Sequence, residues 1–223
     1  SEGYEPPYPM TDLMDPAMGR QLEPDDLKKY LDSIQESVFR CRDITRKLLG
    51  FVRQTDTDLK EHDIHELLDR VIDGILGHEM TVSNIEVVRK YNGDIPPLVT
   101  DSNQLQQVFL NILNNAIDAL EDNPGTITVI TEQHDNKVAI SLTDTGKGMS
   151  PRQMENIFVP FYTTKEVGKG TGLGLSVSYG IVKNLGGRIE VTSNPGRGTT
   201  FTIIFPVSYR AGKRERVLDR HTE

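Results

Sequence analysis

The sequence predicts an α+β fold, in which a mixed sheet covered by helices follows one long coiled-coil-like helix. Three observations lead there. Apolar residues from Leu27 to Val52 recur at alternating steps of four and three, a heptad seam. Farther on, strand-like runs come in hairpin pairs, as in Gly125–Thr131 with Lys137–Thr143 and Arg188–Ser193 with Thr199–Pro206. Two amphipathic helices, one ending at Leu120 and one at Leu185, each lead into one of these pairs. Hairpins argue for a largely antiparallel or mixed sheet with helices on one face. A doubly wound sheet would alternate single strands with helices.

Each segment has its own reason. Residues 1–24 carry Pro6, Pro7, Pro9, Pro16 and Pro24 without a sustained apolar period, so they read as linker. Residues 25–56 form the seam helix, with Leu27, Leu31, Ile34, Val38, Cys41, Thr45, Leu48 and Val52 on one stripe. So regular a stripe suits a partner helix better than a core of its own, and it places Cys41 as a small packing residue. Residues 57–208 form the main domain. Ile64, Leu67, Leu68, Val71, Ile72, Ile75 and Leu76 predict a helix over Leu59–Gly77. Strands follow at Ile85–Tyr91 and around Leu98. Asp101 caps a helix whose apolar residues run from Leu105 to Leu120. A short helix follows Pro151, and a glycine-rich segment opens a helix from about Gly172 to Leu185. Residues 209–223 are a charged tail.

Composition narrows the function. In 223 residues, 25 Lys and Arg stand against 33 Asp and Glu, a net charge of −8. An acidic chain is a poor wrapper of nucleic acid, so no nucleic-acid partner is expected. One cysteine excludes an internal disulfide framework and a cysteine-built zinc site. No apolar run approaches the roughly 20 residues that span a bilayer. A soluble, cytoplasmic protein is expected, reaching a membrane only through segments absent from this sequence.

Three motifs carry chemistry. On the helix before Leu120, Asn111, Asn115 and Asp118 are four and three residues apart, so they share a face. Amide oxygens are neutral hard ligands, suited to Mg²⁺ that also holds phosphate. Next, Asp144-Thr-Gly146-Lys-Gly148-Met149 ends a strand. An aspartate there can accept from an exocyclic amine such as adenine's, and glycines let backbone approach a ligand. Finally, Gly168-Lys-Gly170-Thr171-Gly172-Leu173-Gly174-Leu175 opens a helix, where N–H groups and the helix dipole favour phosphate. It is not a P-loop, since no Gly-Lys-Ser/Thr follows four residues after a first Gly, and not a dinucleotide fingerprint, because a polar stretch from Thr163 to Lys169 separates it from any strand. Tyr162 to Gly170 reads as a mobile lid.

Taken together with Phe158-Val-Pro160-Phe161 and Gly198-Thr199, these motifs occur in a single order. The sequence from Asp101 to Pro206 resembles the GHKL ATP-binding domain, above all that of sensor histidine kinases of two-component systems. The helix motif resembles the N box, Asp144–Met149 the G1 box, Phe158–Phe161 the F box and Gly170–Leu175 the G2 box. Less specifically, the seam helix resembles the second helix of the dimerisation and phosphotransfer domain.

The resemblance implies a two-layer α/β sandwich of the Bergerat type, with ATP and Mg²⁺ as cofactors. Asn115 would ligate Mg²⁺, with Asn111 close to the phosphates. Asp144 would read the adenine amine, partly through water shared with Thr199, and Gly146 and Gly148 would admit the base. Gly172, Leu173 and Gly174 would offer N–H groups to phosphate. Thr163, Thr164 and Lys165 follow the F box, and Lys165 would neutralise γ-phosphate charge. Ala119, Met149, Gly170, Thr171 and Leu175 complete the nucleotide contacts. Asp118 departs from those kinases that place a basic residue there; it would hold Mg²⁺ waters. ATP-hydrolysing members carry a Glu one turn before the metal Asn, where this sequence has Asn111. An amide is no general base near neutral pH, so the resemblance implies phosphoryl delivery to a histidine, then to a response regulator receiver domain. An ATPase module of a larger machine is the alternative. The acceptor histidine is expected on an upstream helix absent here, because His65-Glu66 is the only His–acid pair and no Pro follows it nearby. The full protein would dimerise through residues 25–54, and the fragment alone would not autophosphorylate.

Overall fold

A computed structural model describes residues 27–35, 38, 58–121, 123–165 and 170–207. The linker over 1–24, most of the seam with Cys41, the tail over 209–223 and residues 166–169 of the expected lid lie outside the described residues. The chain divides into two compact units, Ser1–Val52 and Arg53–Glu223. In the first, residues 27–35 are helical, and the seam residues Leu31, Ile34 and Val38 are 56 %, 60 % and 60 % exposed.

The second unit runs β1 (Lys60–His62), α1 (Ile64–Asp69), a π-helical turn (Arg70–Ile75), α2 (Gly77–Val82), β2 (Ile85–Tyr91), β3 (Leu98–Thr100), α3 (Ser102–Leu120), β4 (Gly125–His134), β5 (Lys137–Asp144), α4 (Pro151–Met154), α5 (Gly174–Asn184), β6 (Arg188–Ser193) and β7 (Thr199–Pro206). Five strands form one mixed sheet in the order β2-β4-β5-β7-β6, with β2 and β4 parallel and the other pairs antiparallel.

One expectation is corrected. Helix does not begin at Leu59. Lys60–His62 pairs antiparallel with Leu98–Thr100 as a small second sheet. The helix starts only after Asp63, whose carboxylate accepts from the N–H groups of His65 and Glu66. The apolar period of that stretch also begins at Ile64, so the pattern never covered the strand.

Alternation along the sheet builds the core. Val138, Ile140 and Leu142 of β5 face inward opposite Phe205, Ile203 and Phe201 of β7, and all six are buried. The buried stripe of α3, from Leu105 through Phe109 and Leu113 to Leu120, belongs to the same core. On the other face, hydroxyls pair across strands, with Ser141 to Thr202 at 3.0 Å and Thr143 to Thr200 at 2.9 Å. At one end the inward row turns polar. Asp144, Thr199 and Ser193 take the last inward positions of β5, β7 and β6, in mutual register and all buried.

Candidate functional site

That polar row is one end of the site. The Asp144 side chain is only 4 % exposed, and its Oδ1 accepts from the backbone N–H of Gly146 at 2.8 Å and of Thr199 at 3.2 Å. Among the described residues no donor meets Oδ2. Burial raises the carboxyl above its ordinary range, against the backbone N–H groups of Gly146, Thr199 and Asp144 itself, which lower it. A buried carboxylate with one oxygen fixed by backbone N–H groups is an acceptor held in place for an N–H donor.

Ser193 is a member of this row that sequence reasoning missed. Its Oγ donates to the carbonyl of Gly198 at 2.9 Å and accepts from Met149 N–H at 2.8 Å. It also lies 2.9 Å from Thr199 Oγ1. Because the one serine proton goes to Gly198, the Thr199 hydroxyl is the donor of that pair and keeps its lone pairs to accept. The signal was available: alternation from Ile189 and Val191 places the next inward side chain at 193, where a buried strand would ordinarily carry an apolar residue.

The glycine loop after β5 is clamped by backbone. Lys147 N–H donates to Ala119 at the end of α3, and Gly196 N–H donates to Lys147. Gly148 has φ +65, and a Cβ there would lie 2.0 Å from the carbonyl of Asn194. The residue is therefore glycine for packing against the β6–β7 turn, in addition to any access it gives a ligand.

The other end lies where α3 meets α5. Asn111 Nδ2 donates to Gly174 O at 3.0 Å and to Ser178 Oγ at 3.1 Å, fastening the two helices. Its donors are thus engaged with the start of α5. Among the described residues no side chain caps α5, so its first N–H groups have no side-chain capping partner there. Gly172 has φ +65, and a Cβ there would lie 2.3 Å from the backbone of Phe161. Asn115, half-buried one turn beyond Asn111, has its Oδ1 3.3 Å from Lys165 Nζ. Lys165 also pairs with the Asp118 carboxylate. Its own N–H donates to Thr163 Oγ1 at 3.1 Å. Thr163 and Thr164 are exposed, while Thr171 Oγ1 accepts from Leu173 N–H at 3.4 Å. From Asn111 to Ala119 α3 rises roughly 12 Å, so one helix carries both ends of the site.

A divalent cation fits this donor set in one manner. Among the described residues no group of three or more His, Cys, Asp or Glu could hold a metal. Asn115 Oδ1 is a single hard oxygen ligand, so phosphate and water would have to supply the rest, as is usual for Mg²⁺.

Residues 100–209 match the model of a family described as histidine kinase-, DNA gyrase B-, and HSP90-like ATPase. Relatives place the chain within that class. It is 36 % identical over 189 residues to sporulation kinase E of Bacillus subtilis, covering 85 % of this chain. It is also 36 % identical over 169 residues to sensor histidine kinase ZraS of Escherichia coli, covering 76 % of this chain. Full-length ShkA in complex with AMPPNP superposes with a TM-score of 0.70 at 25 % identity, over 86 % of this chain and 41 % of that one. Histidine kinase ThkA in complex with response regulator protein TrrA superposes with a TM-score of 0.67 at 26 % identity, over 84 % and 53 %. The chain belongs to the sensor histidine kinases, as their ATP-binding catalytic part. It spans 25 % of the length of sporulation kinase E and 36 % of ZraS.

Proposed function

We propose that this chain binds Mg·ATP across the cleft and delivers the γ-phosphoryl group to a histidine of a phosphotransfer helix, for relay to a receiver domain. The observation that carries the reading is Asn111. Where hydrolysing members of the family have a glutamate that activates water, this side chain is an amide whose NH₂ is bonded to Gly174 and Ser178. It has neither the basicity nor the freedom to activate water.

Asp144 Oδ2 accepts from the adenine amine, with Thr199 as the second acceptor through water. Gly146, Gly148 and Met149 line the base, and Ala119 backs it. Gly172 and Leu173, with the uncapped start of α5 at Gly174 and Leu175, donate N–H groups to phosphate, with Gly170 and Thr171 leading in. Asn115 would hold Mg²⁺, which when bound neutralises phosphate charge and orients the transferred group. Lys165 supplies a further cation at the same end. Phosphoryl transfer needs mainly alignment and charge stabilisation, and these groups provide both.

In the whole protein the seam over residues 25–54 pairs with a second copy. The exposure of Leu31, Ile34 and Val38 in the single chain supports this. The receiver-domain partner is supported by the ThkA–TrrA complex. No helix among the described residues is long and apolar enough to cross a membrane, and we place the domain in the cytoplasm, under a membrane anchor or not.

The test is to join the chain to a phosphotransfer helix bearing a histidine and follow γ-labelled ATP. Acid-labile, base-stable phosphoprotein is expected. Steady release of inorganic phosphate by the chain alone, abolished by Asn115→Ala, would instead establish the ATPase-module reading.

A further inference from the structure

Asp118 is the one acidic side chain on the nucleotide face of α3, and its position is electrostatically awkward. It sits in the last turn of the helix, where the macrodipole is negative and no basic residue of the helix compensates. Cations come from elsewhere. Lys165 pairs with Asp118, and Lys147 pairs with Glu121 at 2.6 Å just beyond the helix end. The two lysines differ in what else they touch. Lys165 Nζ also reaches Asn115 Oδ1 at 3.3 Å, the oxygen suited to a divalent cation, so its ammonium occupies the place where cation and phosphate are expected. The Lys165 and Asp118 side chains are 34 % and 50 % exposed, so the pair is held loosely enough to exchange.

We propose that Asp118 is an internal substitute for the terminal phosphate: it holds the Lys165 ammonium beside Asn115 until a triphosphate takes that ammonium over. Asp118 is then a positioning residue that also competes with the nucleotide, and it contributes to discrimination. A triphosphate long enough to reach Lys165 breaks the pair and replaces it with a stronger anion. A diphosphate that stops short leaves the pair intact and feels mainly the repulsion of the carboxylate. The inference rests on the nucleotide reading of the cleft and departs from it at one residue, since Asp118 would neither ligate metal nor contact nucleotide favourably.

The experiment is calorimetric titration of ATP and ADP, each with Mg²⁺ and with EDTA, into the unaltered chain, Asp118→Asn, Lys165→Met and the double variant. Asp118→Asn is expected to bind ATP about two- to fivefold more tightly, ADP less so, with and without Mg²⁺. The gain should shrink in the Lys165→Met background, because no ammonium remains to be exchanged. Weaker ATP binding by Asp118→Asn, or weakening confined to the Mg²⁺ arm, makes Asp118 a servant of the metal and overturns the proposal. A gain of equal size in both backgrounds reduces Asp118 to a through-space charge and also overturns it. An unaltered chain that binds no ATP removes the nucleotide reading itself. ATP bound with Asp118→Asn unchanged removes only this inference.

Discussion

The two ends of the proposed nucleotide site are built differently. At the proposed base end, Asp144, Ser193 and Thr199 are each less than 10 % exposed; Asp144 and Ser193 are joined to the backbone of Gly146, Met149 and Gly198 by bonds of 2.8 to 2.9 Å, and the Thr199 hydroxyl lies 2.9 Å from that of Ser193. At the phosphate end the polar groups are half-exposed, and their shared contact is an ion pair between Lys165 and Asp118. The first end is assembled by strand register and needs no ligand to hold its shape. The second is held by charges that a ligand can replace. In the proposed reading, a site divided in this way would recognise the base with preset geometry and meet the phosphates with exchangeable electrostatics.

Substitutions can break this contrast. Gly148→Ala should have the largest effect on folding, since its Cβ would fall 2.0 Å from Asn194 O at a positive φ. A loss of more than about 1 kcal/mol is expected by chemical denaturation. Asn111→Asp keeps the shape but turns two donors into acceptors facing the Gly174 carbonyl. It should cost about 1–3 kcal/mol and loosen α5, read by hydrogen exchange of its first turns. Gly170→Ala meets only side chains, Thr163 Oγ1 at 2.6 Å and the Lys165 stem, which can move. Its stability should change by less than about 0.5 kcal/mol while phosphate affinity falls. Lys147→Ala removes an exposed pair with Glu121 and should shift stability by at most about 0.5 kcal/mol. If Gly170→Ala unfolds the domain as readily as Gly148→Ala, the contrast between the ends is wrong.

Much of this was legible in sequence because local rules and tertiary demands agree. Asp101 caps α3 through Asn103 and Gln104, as its position ahead of the apolar stripe implies. Strands β2, β6 and β7 fall where alternation places them. What stayed hidden depends on partners distant in sequence. Lys60–His62 is a strand only because Leu98–Thr100 lies beside it. The family resemblance implies Asn111 as a phosphate neighbour, and only the approach of α5 reveals that its NH₂ is a fastener. Ser193 was overlooked because a serine ending a strand resembles an ordinary turn residue until its register with Asp144 and Thr199 is known.

The pH dependence follows from Asp144. Its folded carboxyl titrates above its unfolded value, so the native state holds the extra proton between the two. Stability contributed by that proton therefore falls as pH rises from the ordinary carboxylate range through the folded value. Asp144→Asn keeps an oxygen to accept from Gly146 and Thr199 but carries no charge, so it should lack this slope and melt no lower than the unaltered chain at neutral pH.

Titrating Mg·ATP into Asp144→Asn and the unaltered chain, with melting curves on the same samples, is therefore the most direct test of a base end built in advance. The account predicts a loss of affinity of about 10- to 150-fold, with an unchanged or higher melting temperature. Undiminished ATP binding, or a loss that merely follows unfolding, would contradict it.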